Sequence, residues 1–282
     1  MPESPEVQVL ADVLDDAVTH RRIIGVDVGE FRAWKTRDRP AEGLVGATIT
    51  GVTRFGKHLD IDTDRGDLVV TLGRAGWVRH RVEAETGDDE TVDSSDASSP
   101  PAAVIATLDL DDDTALEFTD AGEWLSLALS LVDHPQDVPA VKKLGPDPMS
   151  PTYTRADFDR ITLGRRKQLK ALLQEQESIS GIGNAYSDEI LHRAKIAPTT
   201  HAAALDDGER EVLFEAIRDE LSEAVRARRS IPLPRLKQAK AASMRVHGRT
   251  GEACPVCGGV VEDVPGSKGA AQYCPVCQGP VD

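Results

Sequence analysis

The sequence predicts a multi-domain α+β chain: a strand-rich first half, a helical second half and a cysteine-held ribbon at the end. Three observations lead there. Short runs of Val, Ile, Leu and Thr, separated by Gly, Asp and Arg, fill residues 20 to 82 and resume at Ala103 to Leu110 and Ala115 to Phe118. Runs bounded by such turn residues read as strands. From about residue 153 the apolar spacing becomes helical and stays so until the ribbon. All four cysteines fall near the end, as Cys254-Pro-Val-Cys257 and Cys274-Pro-Val-Cys277. At 282 residues and 40% apolar content, the chain exceeds one average domain and can fill two modest cores.

The first element is a helix. After Met1-Pro2-Glu3-Ser4-Pro5-Glu6, Val7, Leu10, Leu14 and Ala17 recur at helical spacing. A small second residue normally permits removal of the initiator Met, which leaves the secondary amine of Pro2 as the terminus, at or just before the helix start. The partial positive charge there disfavours protonation of the amine. A free secondary amine is a nucleophile toward a sugar C1′, and Glu3 beside it suits general acid/base work. The plainer alternative is a proline-started helix with acidic first-turn residues.

Strands follow, including the runs Arg22 to Val28 and Leu68 to Leu72. Residues 84–101 are polar, acidic and aperiodic, and are expected to form a disordered surface loop. In the helical half, Gly181 and Gly183 break one helical pattern and Asp188-Glu189 begin another, with Ile190, Leu191 and Ala194 on its buried face. Two helices joined by a glycine turn expose backbone N–H groups, an arrangement suited to phosphate.

The cysteine pairs are separated by 16 residues, the length of a β-hairpin that brings both knuckles to one tetrahedral ion. That is a zinc-ribbon spacing, and zinc supplies the folding energy a short, core-poor segment lacks. Two structural disulfides are the alternative. The absence of a secretory leader and of any other sign of an oxidising compartment favours zinc. No apolar run is long enough to cross a membrane and no internal repeat is present.

Taken together, Pro2-Glu3, Gly56-Lys57, Leu144-Gly-Pro-Asp-Pro148, Gly181-Ile-Gly-Asn184 with Asp188-Glu-Ile-Leu191, His247-Gly-Arg249 and the cysteine pairs resemble the formamidopyrimidine-DNA glycosylase/endonuclease VIII family. The resemblance runs in order over most of the chain. It implies an N-terminal β-sandwich with flanking helices (1–140), a linker (141–152), a helix-two-turn-helix DNA-binding domain (153–245) and a zinc ribbon (246–282). It implies Pro2 as Schiff-base nucleophile, Glu3 as the acid that protonates sugar or base, and Lys57 as the contact to the phosphate beside the lesion. Glu6 supports the active-site helix, Lys170 and Asn184 bind backbone phosphates, and Cys254, Cys257, Cys274 and Cys277 hold one structural Zn2+. The implied partner is double-stranded DNA carrying damaged bases or abasic sites. The implied protein is a monomeric, cytoplasmic, nucleoid-associated repair enzyme that excises oxidised or ring-opened bases and cleaves the strand by β,δ-elimination. A divergent binder of DNA or abasic sites with little glycosylase activity is the alternative.

Charge and several departures bear on that expectation. The formal net charge of −15 is unusual for a protein that neutralises phosphates. Residues 1–140 carry 12 basic and 29 acidic side chains, whereas residues 141–282 carry 21 and 19. The acid is therefore concentrated in the first half, consistent with adaptation to high salt. Arg165-Arg166-Lys167 with Lys170, and Arg226 with Arg228-Arg229, form basic clusters expected on the DNA face. Where the family's ribbon has arginine this chain has Gly269, with Ala271 in place of threonine, and Lys268 as a shifted substitute. Arg74 stands where relatives specific for 8-oxoguanine carry a gap-filling methionine. Gly122-Glu123 replaces an arginine pair, leaving Trp124 as the wedge candidate. Ser230 to Met244 is short for a loop that caps 8-oxoguanine. Ser4 matches neither the leucine nor the glycine of the family's branches. The chemistry-bearing residues are kept, and the lesion-reading ones are altered.

Overall fold

The computed structural model describes residues 1–82 and 102–281; the acidic segment 84–101 lies outside the described residues. The chain divides into two compact units. One comprises Met1–Pro2 with Leu10–Lys142, and the other Glu3–Val9 with the chain from Lys143 onward.

The first unit holds two four-stranded antiparallel sheets. With β1 (Ile23–Asp27), β2 (Ile49–Phe55), β3 (His58–Thr63), β4 (Gly66–Thr71), β5 (Gly76–Arg81), β6 (Ala103–Leu110), β7 (Ala115–Asp120) and β8 (Ala128–Val132), the orders are β1-β6-β7-β5 and β2-β3-β4-β8. Register explains the core. Leu59, Val70 and Leu129 lie across from one another, as do Ile61, Leu68 and Leu131, and all six are buried. In the other sheet, Val78 and Ala106 flank Phe118. Alternating positions leave the opposite face to polar side chains, which is the pattern of a β-sandwich. The run 103–110 becomes β6 at both ends. The run at Arg22 to Val28 is trimmed to five residues, and β8 adds a strand beyond Phe118. Helix α1 (Ser4–Val18) and the short α2 (Pro139–Lys142) flank the sheets in sequence. The Asp15 carboxylate of α1 accepts from the Val52 N–H at 2.7 Å, which ties the helix's second half to β2.

The second unit is helical. It contains α3 (Arg155–Thr162), α4 (Leu169–Leu173), α5 (Asn184–Ala194), α6 (Asp207–Arg228) and α7 (Leu236–Ser243), then a hairpin of β9 (Glu262–Asp263) with β10 (Gln272–Tyr273), and α8 (Pro275–Gln278). Its core gathers Phe158, Leu169, Leu172, Leu173, Ile182, Tyr186, Ile190, Leu213, Ile217 and Leu221. Helices α3 and α6 are started by reciprocal capping boxes, Thr154 with Asp157 and Asp206 with Glu209. Helix α5 begins at Asn184, four residues before the Asp188-Glu189 start expected from sequence. Its N-cap is Gly183, which has no side chain to offer. The cap comes from Glu3, the residue just ahead of α1, a partner that local pattern cannot reveal. Among the described residues no helix is long and apolar enough to cross a membrane.

Candidate active site and metal centre

In the second unit the site is built around the first turn of α1. Glu3 is 2% exposed and its carboxylate sits on the N-terminus of α5, accepting from the N–H groups of Gly183, Ala185 (3.0 Å) and Tyr186 (3.4 Å). These amides are among the donors a helix leaves without an internal partner, and the helix dipole favours an anion there. A larger residue than Gly183 would displace this carboxylate, since a Cβ would stand 2.6 Å from the Glu3 carboxyl carbon. The Ser4 N–H donates to the Gly181 carbonyl at 3.0 Å, locking the turn against α1.

Glu6, one turn later, accepts from the Tyr186 hydroxyl at 2.7 Å and from the Glu3 N–H at 3.2 Å. Arg228 reaches it with Nε at 3.3 Å, while its Nη1 and Nη2 donate to the Ala224 carbonyl and to Ser243 Oγ. Lys240 Nζ lies 3.2 Å from Glu3 and 3.0 Å from Glu6, above the Tyr186 ring at 4.8 Å from its centroid. Burial and the neighbouring Glu6 push the Tyr186 hydroxyl well above its ordinary pKa, so it stays protonated and donates.

This geometry corrects one expectation. Arg228 was placed with Arg226 and Arg229 on a DNA-facing cluster, yet it is 2% exposed and turned into the unit. Helical spacing carried the signal: Leu221, Ala224 and Arg228 share the buried stripe of α6. Lys240 was missed altogether, though it stands four residues after the buried Leu236 on the same face of α7.

Lys170 points inward too. Its ammonium donates to the Asn184 carbonyl (3.2 Å), Ser187 Oγ (3.1 Å) and the fully buried Asp188. Burial lowers its pKa, and Asp188 opposes that shift. Gln174 Nε2 donates to Asn184 Oδ1 at 2.9 Å, which orients the half-buried amide at the helix start. Arg165 and Lys167 both pair with Glu175.

The ribbon hangs from α5. Glu189 accepts from the N–H groups of Arg245, Val246 and His247 at 2.8–2.9 Å, and the other oxygen of Asp188 meets His247 Nδ1 at 2.8 Å. The Sγ atoms of Cys254, Cys257, Cys274 and Cys277 all lie within 4.8 Å of one another, and no disulfide links them. The Gly259 N–H points at Cys257 Sγ (3.4 Å) and lowers that thiol to about 7. Four convergent thiols with a backbone N–H directed at sulfur fit a tetrahedral soft-metal centre. Across the hairpin, Lys268 is exposed with φ +54° and Gly269 has φ +75°, so the tip is a left-handed turn in which Gly269 adopts its φ without strain and Lys268 carries the side chain.

In the first unit, Pro2 is half-buried just ahead of α1. Lys57 occupies the second position of the two-residue turn between β2 and β3, after Gly56 at φ +57°. A glycine at the first position suits a type II′ hairpin, and the turn projects Lys57 from the sheet end. Its neighbour His58 is held neutral, pushed down to about 4 by burial and by the Lys57 charge. Arg74 and Trp124 line one shallow depression of about 440 Å³ with Glu123 and Ser126. Asp120 shapes this rim. Its carboxylate accepts from the N–H groups of Gly122, Ser126 and Leu127, and Ser126 Oγ in turn accepts from Arg74 and Ala75. Burial opposes ionisation of Asp120, but the three N–H donors outweigh it and lower the carboxyl below its ordinary value. Trp124 stands out from the rim, 80% exposed.

Residues 1–124 match the model of the formamidopyrimidine-DNA glycosylase N-terminal domain, and residues 144–233 match that of the formamidopyrimidine-DNA glycosylase H2TH domain. A formamidopyrimidine-DNA glycosylase from Geobacter metallireducens is 32% identical, the alignment covering 99% of this chain and 100% of that protein. Among solved structures, the Lactococcus lactis enzyme in complex with a FAPY-dG containing DNA gives a TM-score of 0.81 at 27% identity, covering 99% of this chain and 100% of that one. The complex of the same enzyme with an oxidized pyrimidine containing DNA gives 0.82, with the same identity and coverage.

Proposed function

The chain belongs to the formamidopyrimidine-DNA glycosylase family, and from that premise we propose that it is a bifunctional DNA glycosylase and abasic-site lyase of base excision repair. The substrate is double-stranded DNA bearing an oxidised or ring-opened base, or an abasic site. The protein acts as a monomer at the cytoplasmic nucleoid. After removal of Met1, the Pro2 amine attacks C1′, Glu3 takes up the proton that the amine sheds, and the base departs with a proton delivered by Glu3. The resulting iminium draws electrons from the sugar, so that β- and then δ-elimination cut the strand on either side. Lys57 holds the neighbouring phosphate. Asn184 and the amides at the start of α5 hold the backbone, and Lys170 sets the shape of that turn from inside. The observation that supports this reading most is Glu3, a buried carboxylate placed beside Pro2 in sequence and fixed on three amide N–H groups.

Cys254, Cys257, Cys274 and Cys277 are proposed to hold one zinc ion, which supplies folding energy to the ribbon. Removing it with a chelator should unfold the ribbon and abolish DNA binding while the sandwich melts unchanged, as followed by elemental analysis and thermal melting. Lesion choice follows the altered rim. Arg74 and the exposed Trp124 are the parts placed to fill the space of an extruded base, and Gly122-Glu123 offers no cation to the partner base. Preference should fall on ring-opened purines, oxidised pyrimidines and abasic sites, with weak discrimination of the opposite base.

The test is borohydride trapping on a panel of lesion duplexes. The parent should form a covalent adduct that Pro2→Gly abolishes. Glu3→Gln should lose base excision by about 100-fold or more while retaining more of the abasic-site trapping. An equal yield of adduct from Pro2→Gly would remove the terminal amine from the mechanism. The turn at Gly269, in place of a ribbon arginine, favours a second reading as a DNA-binding relative with little glycosylase activity. Duplex binding without trapping would establish that reading instead.

A further inference from the structure

The stretch that is short for a capping loop is instead an ordered helix, α7, fixed at both ends. Leu236 is fully buried at its start and Met244 is 5% exposed just past its end. Ser243 accepts from Arg228, and the following Arg245, Val246 and His247 are clasped by Glu189. Between these anchors stands Lys240, its side chain 12% exposed, in reach of both Glu3 and Glu6.

The hydrogen-bond needs of the two carboxylates do not call for it. Glu3 already accepts from three backbone N–H groups. Glu6 already accepts from the Tyr186 hydroxyl and the Glu3 N–H, and has the Arg228 guanidinium as an ion-pair partner at 3.3 Å. What Lys240 adds is a positive charge beside Glu3, in a place where an ammonium is itself costly to bury. Such a group, held on an ordered helix against the acid of the reaction, is placed to control that acid.

We infer that Lys240 is the positioning residue of Glu3, holding it ionised and aimed in the resting protein and so setting the pH at which Glu3 carries a proton. The inference rests on the reading of Glu3 as the acid/base group. The charged and titratable groups around the pair include Glu3 just ahead of α1, Glu6 of α1, Tyr186 of α5, Arg228 of α6 and, acting on Glu3 through its charge, Lys170 of α4. Glu6 alone would make Glu3 harder to ionise. Lys240 reverses that bias, because an opposite charge at this distance favours the charged form.

The experiment uses the full chain. Base excision from a formamidopyrimidine duplex is measured in single turnover from pH 5 to 10 for the parent, Lys240→Met and Lys240→Arg. Loss of the ammonium should move the limb that reports Glu3 to higher pH by about one to three units. Lys240→Arg should bring it back toward the parent. An unmoved limb, with the rate reduced by one factor at every pH, would overturn the inference. So would a Lys240→Arg limb displaced as far as that of Lys240→Met. If Lys240→Met does not fold, Lys240→Gln takes its place against Lys240→Arg. Glu3→Gln separates the two claims. Full excision by Glu3→Gln removes the acid reading itself, whereas loss of excision by Glu3→Gln with an unmoved Lys240→Met limb removes only the role of Lys240.

Discussion

Two groups of carboxylates are buried to a similar depth and meet different fates. In the second unit, Glu3 and Glu6 are each 2% exposed and face Arg228, Lys240 and a row of N–H donors. In the first unit, Asp60 is 4% and Asp67 is 8% exposed on the polar face of the β2-β3-β4-β8 sheet, with Asp62 directly across from Asp67. Burial, then Asp67 and Asp62, push Asp60 up to about 7, and Asp60 Oδ1 has no hydrogen-bond partner. Burial, and a hydrogen bond shared with Asp62, push Asp67 up to about 6. Burial alone therefore does not make a carboxylate useful. Between these two groups, what differs is contact with a cation: Arg228 and Lys240 pair directly with Glu3 and Glu6, whereas Arg39 and His134 act on Asp67 only through their charge.

The largest effect should come from breaking the compensated group. Arg228→Met leaves Glu6 buried with one cation fewer, and should cost about 3–5 kcal/mol in denaturant melts. A loss below about 1 kcal/mol would mean that Arg228 is a packing residue and the comparison is wrong.

Next in size is the uncompensated group. The folded state holds Asp60 above its ordinary pKa, so this carboxyl favours folding most when protonated, and that contribution is lost as pH rises through about 7. Asp60→Asn should therefore stabilise the protein by about 1–3 kcal/mol at pH 8 and by almost nothing at pH 4. Melts that differ equally at both pH values would remove the electrostatic explanation.

Smaller still is the cross-strand pair. Asp67→Asn relieves two like charges set opposite each other and should gain roughly 0.5 kcal/mol in dilute buffer. In about 1 M KCl, where screening reaches about 3 Å, the gain should shrink to the part that burial of the carboxylate contributes. A gain unchanged in KCl would mean that the facing Asp62 charge contributes nothing. At the bottom of the scale, Trp124→Ala should leave stability within about 0.5 kcal/mol, because the side chain is exposed, while lowering excision of base lesions far more than cleavage of abasic sites. An equal loss on both substrates would sink the wedge.

The sequence was legible where the signal is short-range. Strand runs such as Ala103 to Leu110 show in their Val, Ile, Leu and Thr content between turn residues, and the cysteine pairs show in their spacing, because both are set by neighbours a few residues apart. It was opaque where one side chain answers a need created far away. Nothing near Asn184 announces that α5 starts there, since its cap is Glu3. Lys170 and Arg228 read as surface cations because nearby arginines and lysines set the expectation, while Asp188 and Glu6, which hold them, lie on other elements. Lys240 was invisible as a partner of Glu3 for the same reason, with more than two hundred residues between them.

Glu3 also bears on how the chain is made. The carboxylate that starts α5 is synthesised before its amide partners, which follow about 180 residues later. At the usual pace of synthesis, 5–20 residues per second, the first turn of α1 waits roughly ten to forty seconds for the helix it completes. Asp15, on the second half of the same helix, meets its β2 partner after only 37 residues, while Glu3 waits for all three of its amides. The turn that carries Glu3 is written well before the helix that holds it, and is among the last parts to be put in place.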